Sequence, residues 1–159
     1  MERKEINQIL LYYAAIPGML KLLRKEKEDL ELEYSSVQAI APNGGQHGST
    51  PGSPTEKIAL QVIENGVSDR LKEIEVKILV LARDAALIRG CMDGMNSEYK
   101  RLILMRYVHR YSWNKISARM GMPESTARSW YERAGEILFH ELKFVPMADE
   151  LCKRASRAR

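Results

Sequence analysis

Five polar side chains between residues 124 and 132 have the types and the spacing that direct readout of DNA bases requires. Arginine can donate two hydrogen bonds to guanine, glutamate can accept one from cytosine, and serine can bond to several base edges. If the residues after Pro123 form a helix whose first turns enter the major groove, these side chains point toward the base edges. The candidate base-reading residues are Glu124, Ser125, Arg128, Ser129 and Glu132.

Three further cations, Lys115, Arg119 and Arg133, are placed to contact the DNA backbone. Contacts with phosphates fix the register of a protein on the duplex and carry no sequence information directly. A solvated surface charge is an equally good interpretation of any one of these residues taken alone. The functional hypothesis therefore depends on the pattern in which they occur.

The elements that must position these side chains are predicted by residues 112–134, SWNKISARMGMPESTARSWYERA. Ser117 is the small residue at which two helices can cross, and Gly121 tolerates the positive φ that a tight turn needs. Trp113 is interpreted as a core residue rather than a platform for base stacking. This combination predicts a helix-turn-helix, with an ordinary helical hairpin as the alternative. The apolar wedge between the two helices consists of Ile116, Met120, Ala127, Trp130, Tyr131 and Ala134.

The sequence lacks the residue sets that catalysis or metal binding would need. Cys91 and Cys152 have no metal-like spacing, and the three histidines are scattered along the chain. No nucleophile–base set and no phosphate loop is visible, so we expect no enzymatic activity, no metal and no cofactor. The N-terminus MERKEINQ has no signal-peptide core, and no apolar run reaches the roughly 18 residues of a membrane span. These features predict a protein of a reducing cytoplasm without a membrane partner.

Charge is unevenly distributed along the 159 residues, whose formal net charge is +4. Residues 1–96 contain 12 lysines and arginines against 14 acidic residues, whereas residues 97–159 contain 13 against 7. A basic C-terminal part is where a polyanion would bind. The tail contributes Lys153, Arg154, Arg157 and Arg159.

Helical periodicity dominates the chain, and strand signals are weak, so the predicted fold class is all-α. Residues 1–34 form a first helical segment, which Pro17 should kink or split. Residues 35–53 are rich in Gly, Pro and Ser and are predicted to be a linker. Ser53-Pro54-Thr55-Glu56 has the form of a capping box, so a long helix should occupy residues 54–92.

That long helix carries apolar residues at alternating spacings of four and three, which predicts a seam for a second helix. The partner is either the first helix of the same chain, in a hairpin, or the same helix of a second subunit, in a homo-oligomeric coiled coil. Pattern alone leaves both alternatives open. The seam residues are Val67, Leu71, Ile74, Ile78, Leu81, Ala85 and Ile88.

The C-terminal part is predicted to contain the helix-turn-helix domain at residues 96–143 and a basic tail at residues 144–159. After Asn96 a new helix should place Leu102, Met105 and Val108 on one face. The tail should contain one more short helix with a basic end.

Residues 101–142 resemble region 4 of bacterial sigma factors. The resemblance rests on ILMRYV, SWNKIS, GMPEST and RAGEIL, in this order. It implies double-stranded DNA binding near a promoter and contact with RNA polymerase. No counterpart of the region that binds the −10 element is visible, which argues against a complete sigma factor. Sigma-like modules usually have Ser or Thr at the cap of the recognition helix, where this chain has Pro123, so that helix could start one residue differently.

The layout of a helical N-terminal half, a linker, a long helix and this module resembles small phage-encoded regulators of the ArpU/RinA late-activator type. This resemblance implies a transcriptional regulator of phage or prophage genes that acts on the nucleoid of a bacterial host. One alternative is a small terminase subunit that recognises phage DNA for packaging. Another is a coiled-coil adaptor that binds a protein partner and no DNA.

Overall fold

The computed structural model describes the backbone of residues 3–40 and 54–158, and the side chains of residues 4–36 and 61–158. Its described residues form six α-helices and one π-helical turn, without a strand. This confirms the predicted all-α class. The chain divides into two compact units, one formed by Gly18–Leu81 and the other by the described residues of Met1–Pro17 and Ala82–Arg159.

Two long helices account for the N-terminal half of the chain. Helix α1 spans Arg3–Ile40 and helix α2 spans Pro54–Asp93. Helix α1 continues without interruption past Pro17, so the predicted split does not occur. It also continues beyond residue 34, so the first six residues of the predicted linker are helical. Helix α2 begins at Pro54 as predicted, whereas its capping residue Ser53 lies outside the described residues.

Part of the predicted seam is buried in the Gly18–Leu81 unit. Leu30 of α1 and both Ile74 and Leu81 of α2 are buried. At the margin of this apolar face, Lys27 Nζ lies 2.8 Å from Glu75 Oε1, and Arg70 lies 3.1 Å from Glu26. These ion pairs join α1 to α2 within one chain, as expected for the hairpin alternative. A seam between two subunits stays an untested hypothesis.

The second unit contains the four shorter elements of the C-terminal part. Helix α3 spans Ser97–Ile103, helix α4 spans Trp113–Met120 and helix α5 spans Glu124–Lys143. Helix α6, Ala148–Arg157, confirms the predicted short helix in the tail. The predicted domain limits remain predictions. The two compact units divide inside both long helices, between Pro17 and Gly18 of α1 and between Leu81 and Ala82 of α2.

A π-helical turn at Leu104–Val108 follows α3 directly and changes which residues are buried. A π turn contains more residues than an α turn, so the apolar periodicity after Met105 no longer follows the 3.6-residue rule. Tyr107 is buried at 8% exposure, while Val108 is 42% exposed. The prediction that Val108 shares a buried face with Leu102 and Met105 is therefore wrong.

One described helix, within Lys4–Ser36 of α1, is long and apolar enough to cross a membrane when judged by length and composition alone. This differs from the sequence expectation that no segment reaches that length. Core helices of soluble proteins can meet the same criterion. In this segment 28% of the apolar window is buried, and Ile9, Leu10 and Ile16 are among the buried residues of α1.

Candidate nucleic-acid interface

The turn between α4 and α5 has the geometry that the sequence predicts. Ser112 caps α4 by accepting a hydrogen bond from the backbone N–H of Lys115, and Gly121 ends the helix in the left-handed region at φ 65°. Its N–H donates to the carbonyl oxygen of Ser117. The Ser117 hydroxyl in turn donates to the carbonyl oxygen of Met122 at 2.5 Å. Ser117 thus stabilises the turn with its backbone carbonyl and with its hydroxyl, in addition to being the small residue at the helix crossing.

The wedge between α4 and α5 is packed as predicted. Ile116, Ala127 and Ala134 have no solvent exposure, and Ile116 and Ala127 join Leu102 and Met105 in one core cluster. Both tryptophans are half-buried at the edge of this cluster, together with Met120 and Tyr131. The structure supports the interpretation of Trp113 and Trp130 as packing residues.

The opposite side of α5 is open to solvent in its first turns. Ser125, Arg128, Ser129 and Glu132 are exposed, and Glu124 is half-exposed. Helix α5 begins at Glu124, and Pro123 occupies the cap position without a side-chain hydrogen bond. All five candidate base-reading residues therefore lie on the accessible face of α5, and none belongs to the wedge. Their roles toward bases stay predictions.

Arg128 is held in place by two neighbours. Its Nε and one of its terminal nitrogens lie 3.0 and 2.6 Å from Glu124 Oε1, one helical turn earlier. Its guanidinium carbon also lies 4.9 Å from the centre of the Trp113 ring, at cation–π distance. An ion pair with Glu124 and the packing of α4 against α5 thus restrict the rotamers of this arginine.

The residues predicted to contact the DNA backbone lie on two helices, α4 and α5. On α4, Lys115 and Arg119 are exposed and lie over the Tyr111 ring, at 4.0 and 4.7 Å from its centre. Arg133 is exposed on α5. Arg106 was not predicted from the sequence; it donates to the Tyr111 carbonyl oxygen at 3.0 Å and lies 4.9 Å from the Trp113 ring centre. Arg106 lies within the π turn, whose packing the 3.6-residue periodicity does not describe, so no pattern in the sequence indicated this contact.

Taken together, α4 and α5 cross at a glycine turn, share one apolar core, and leave a polar face of α5 exposed beside four cations. Residues 85–135 match the family model described as sigma-70, region 4. The chain contains a sigma-70 region 4 domain. No curated protein and no solved structure matches the chain.

The region 4 domain begins earlier than the sequence resemblance does. The match starts at residue 85, within α2, and ends at residue 135, within α5. The end of the long heptad helix therefore belongs to the domain that carries the candidate interface. The C-terminal segment of its compact unit starts at Ala82, close to residue 85, where the family match begins.

Asn7, near the N-terminal end of α1, contacts two tyrosines of the region 4 domain. Asn7 Oδ1 lies 2.7 Å from the Tyr107 hydroxyl and 2.9 Å from the Tyr131 hydroxyl. The two tyrosine hydroxyls also contact each other. Burial, and then the contact with Tyr131, raise the pKa of Tyr107 above its usual range. The inward orientation predicted for Tyr131 is therefore confirmed, with Asn7 as an unforeseen partner.

A charge pair that the sequence did not predict, between Asp84 and Arg154, joins α6 to α2. Asp84 has no solvent exposure, and Arg154 reaches it with two nitrogens at 2.7 and 2.8 Å. The Tyr12 hydroxyl donates to the same carboxylate at 2.9 Å. The only signal in the sequence was an aspartate one residue before Ala85 on the seam side of α2. Arg154 is thus occupied by a structural contact, which corrects its inclusion among the tail cations available to DNA.

Proposed function

We propose that this chain is a sequence-specific DNA-binding regulator of transcription that inserts α5 into the major groove. The observation that carries the proposal is that α5, in a sigma-70 region 4 domain, has one fully buried apolar side and one exposed polar side. Ala127 and Ala134 are fully buried, while Ser125, Arg128 and Ser129 are exposed in the N-terminal turns. In helix-turn-helix proteins the N-terminal turns of the second helix contact base edges.

In this proposal the exposed residues have different tasks. Arg128 donates to guanine, and Ser125 and Ser129 bond to neighbouring base edges. The cations on α4, Lys115 and Arg119, contact phosphates and set the register of the domain on the duplex. Arg133 does the same from α5.

The biological setting of the proposal rests on the resemblance of the layout to phage late activators. We infer a regulator of phage or prophage genes that acts in the cytoplasm of a bacterial host, without catalysis and without a cofactor. The first expected partner is double-stranded DNA. The second is RNA polymerase, since region 4 domains act at promoters.

Selection of bound duplexes from a random pool tests the proposal directly. We expect one enriched motif, and a defined stoichiometry when the selected duplex is titrated with the full chain. Binding should weaken steeply with salt, with a slope of log K against log salt of about −0.9 per phosphate contacted. A scrambled duplex of the same length is the control for non-specific attraction.

The same experiment separates the competing functions. The enriched motif is then located in the phage and host genomes. A motif that lies upstream of an operon and is bound by a small oligomer supports the regulator. A closed ring that prefers a packaging site would indicate a small terminase subunit. A flat salt dependence without enrichment would contradict DNA as the ligand and leave the protein-binding adaptor.

A further inference from the structure

Arg128 is the candidate base reader whose position the structure restricts most. A single carboxylate oxygen, Glu124 Oε1, accepts from its Nε and from one terminal nitrogen. The Trp113 ring lies against the guanidinium at 4.9 Å from its carbon. Even so, the Arg128 side chain remains 55% exposed, so the contacts restrict it without covering it.

The bonds to Glu124 determine which donors of Arg128 remain. A guanidinium has five N–H donors in a fixed plane. Glu124 uses the Nε–H and one N–H of the adjacent terminal nitrogen, which are the donors along one side of the fork. The donors left over lie at the end of the guanidinium and include one N–H from each terminal nitrogen. Two such parallel donors match the O6 and N7 acceptors of guanine.

The Trp113 ring is itself fixed from other directions. It makes an edge contact with Tyr131 at 5.4 Å between ring centres, and the Arg106 guanidinium lies 4.9 Å from its centre. Arg106 is anchored by its hydrogen bond to the Tyr111 carbonyl oxygen. Two guanidiniums therefore share one ring, and the Glu124 carboxylate compensates the charge of the Arg128 guanidinium.

We propose that Glu124 and Trp113 are positioning residues that hold Arg128 end-on toward a single base pair, and that Glu124 reads no base itself. The inference rests on the proposed function and changes the role that the sequence assigned to Glu124. A carboxylate that already accepts two hydrogen bonds from Arg128 contributes to specificity through that arginine. Its second effect is to repel phosphates, which lowers affinity for DNA of any sequence.

The test compares base preferences rather than affinities alone. Full-length wild type, Glu124→Ala, Glu124→Gln, Arg128→Ala and the double variant Glu124→Ala/Arg128→Ala are titrated with the selected duplex and with every single-base substitution of it. Glu136→Ala is the matched control, because it removes one carboxylate from the exposed part of the same helix, away from Arg128. Circular dichroism checks that each variant keeps its helices.

We expect Glu124→Ala to relax the preference at the same base pair as Arg128→Ala, by roughly two- to tenfold, the cost of ordering one long side chain on binding. Adding Glu124→Ala to Arg128→Ala should change that preference no further, since the two residues act as one unit. Glu124→Gln should restore most of the preference because its amide oxygen can still accept from Arg128. Glu136→Ala should leave all base preferences as in wild type.

Trp113→Phe provides a second, independent test. Phenylalanine can occupy the edge of the core but binds a guanidinium less strongly than tryptophan does. We expect a smaller relaxation at the same base pair, with the other positions unchanged.

Two results would overturn the inference while the proposed function stands. One is relaxation by Glu124→Ala at a base pair different from that of Arg128→Ala, which would make Glu124 a direct reader. The other is wild-type preference at every position in Glu124→Ala. If wild type itself shows no base preference, the proposed function fails and the inference fails with it.

Discussion

Two arginines of the same compact unit, Arg128 on α5 and Arg154 on α6, look alike in sequence but differ in their exposure and in their other partners. Each has a glutamate four residues earlier, and each pairs with it. The Arg154 side chain is 26% exposed and bonds with two nitrogens to the fully buried Asp84. The Arg128 side chain is 55% exposed and rests on an aromatic ring.

The difference teaches that counting cations in a basic segment overestimates the surface available to a polyanion. Residues 97–159 contain 13 lysines and arginines. One of them, Arg154, neutralises a buried carboxylate of α2 and is only 26% exposed, so it adds less to the surface available to a polyanion than an exposed cation does. What decides the role of a cation here is its nearest partner, which a linear charge pattern does not give.

The largest expected effect comes from removing the buried member of the Asp84–Arg154 pair. Asp84→Ala should lower the free energy of unfolding by about 3–5 kcal/mol, because it leaves a guanidinium and the Tyr12 hydroxyl without their shared acceptor. The lower end is expected, since Arg154 keeps part of its side chain in solvent. Chemical denaturation at neutral pH measures the change.

Arg157→Ala is the matched control on α6, where Arg157 is exposed. It should change the free energy of unfolding by less than about 0.5 kcal/mol. Equal destabilisation by both variants, or none by either, would contradict the contrast between a structural and a solvent-facing arginine in this helix.

A smaller loss of stability is expected at alkaline pH from Tyr12, whose hydroxyl donates to the buried Asp84. Burial, and then the bond to Asp84, raise the pKa of Tyr12 above its usual range. The folded state therefore keeps the Tyr12 proton after the unfolded chain has lost it, so this contribution to stability is complete below about pH 10 and declines as pH rises further. One such proton changes the slope by at most about 1.4 kcal/mol per pH unit.

Tyr12→Phe isolates this contribution. The variant should have a lower free energy of unfolding at neutral pH but a shallower decline between about pH 10 and pH 11 than wild type. Urea denaturation at several pH values gives both slopes. Parallel declines in the two proteins would mean that the phenol of Tyr12 titrates alike in the folded and unfolded states.

The sequence predicted those parts of the fold that follow from local patterns. The cap at Ser112, the turn at Gly121 and the wedge around Ile116 and Ala127 are each determined by residues close together in the chain. The seam of α2 was visible for a similar reason, because its spacing repeats over three heptads. These signals were sufficient to predict an all-α chain with a helix-turn-helix.

Contacts between distant parts of the chain were not predictable in this way. Asn7 meets Tyr107 and Tyr131, and Asp84 meets Arg154, across separations that no local periodicity encodes. The π turn at Leu104–Val108 was missed because apolar periodicity assumes 3.6 residues per turn. The candidate base-reading residues lie on the accessible face of α5, and their roles stay predictions; the pairing of Glu124 with Arg128 changes what one of them is expected to do.

The central claim, that α5 reads DNA sequence, is tested most directly by comparing two arginines that the structure places on adjacent helices. The affinities of wild type, Arg128→Ala and Arg119→Ala are measured for the selected duplex and for a scrambled one, at two salt concentrations. Arg128→Ala should cost roughly 1–3 kcal/mol on the selected duplex and much less on the scrambled one. Arg119→Ala should weaken both duplexes alike and lower the salt slope by about one. Equal losses on both duplexes for Arg128→Ala would contradict the assignment of α5 as the reading helix.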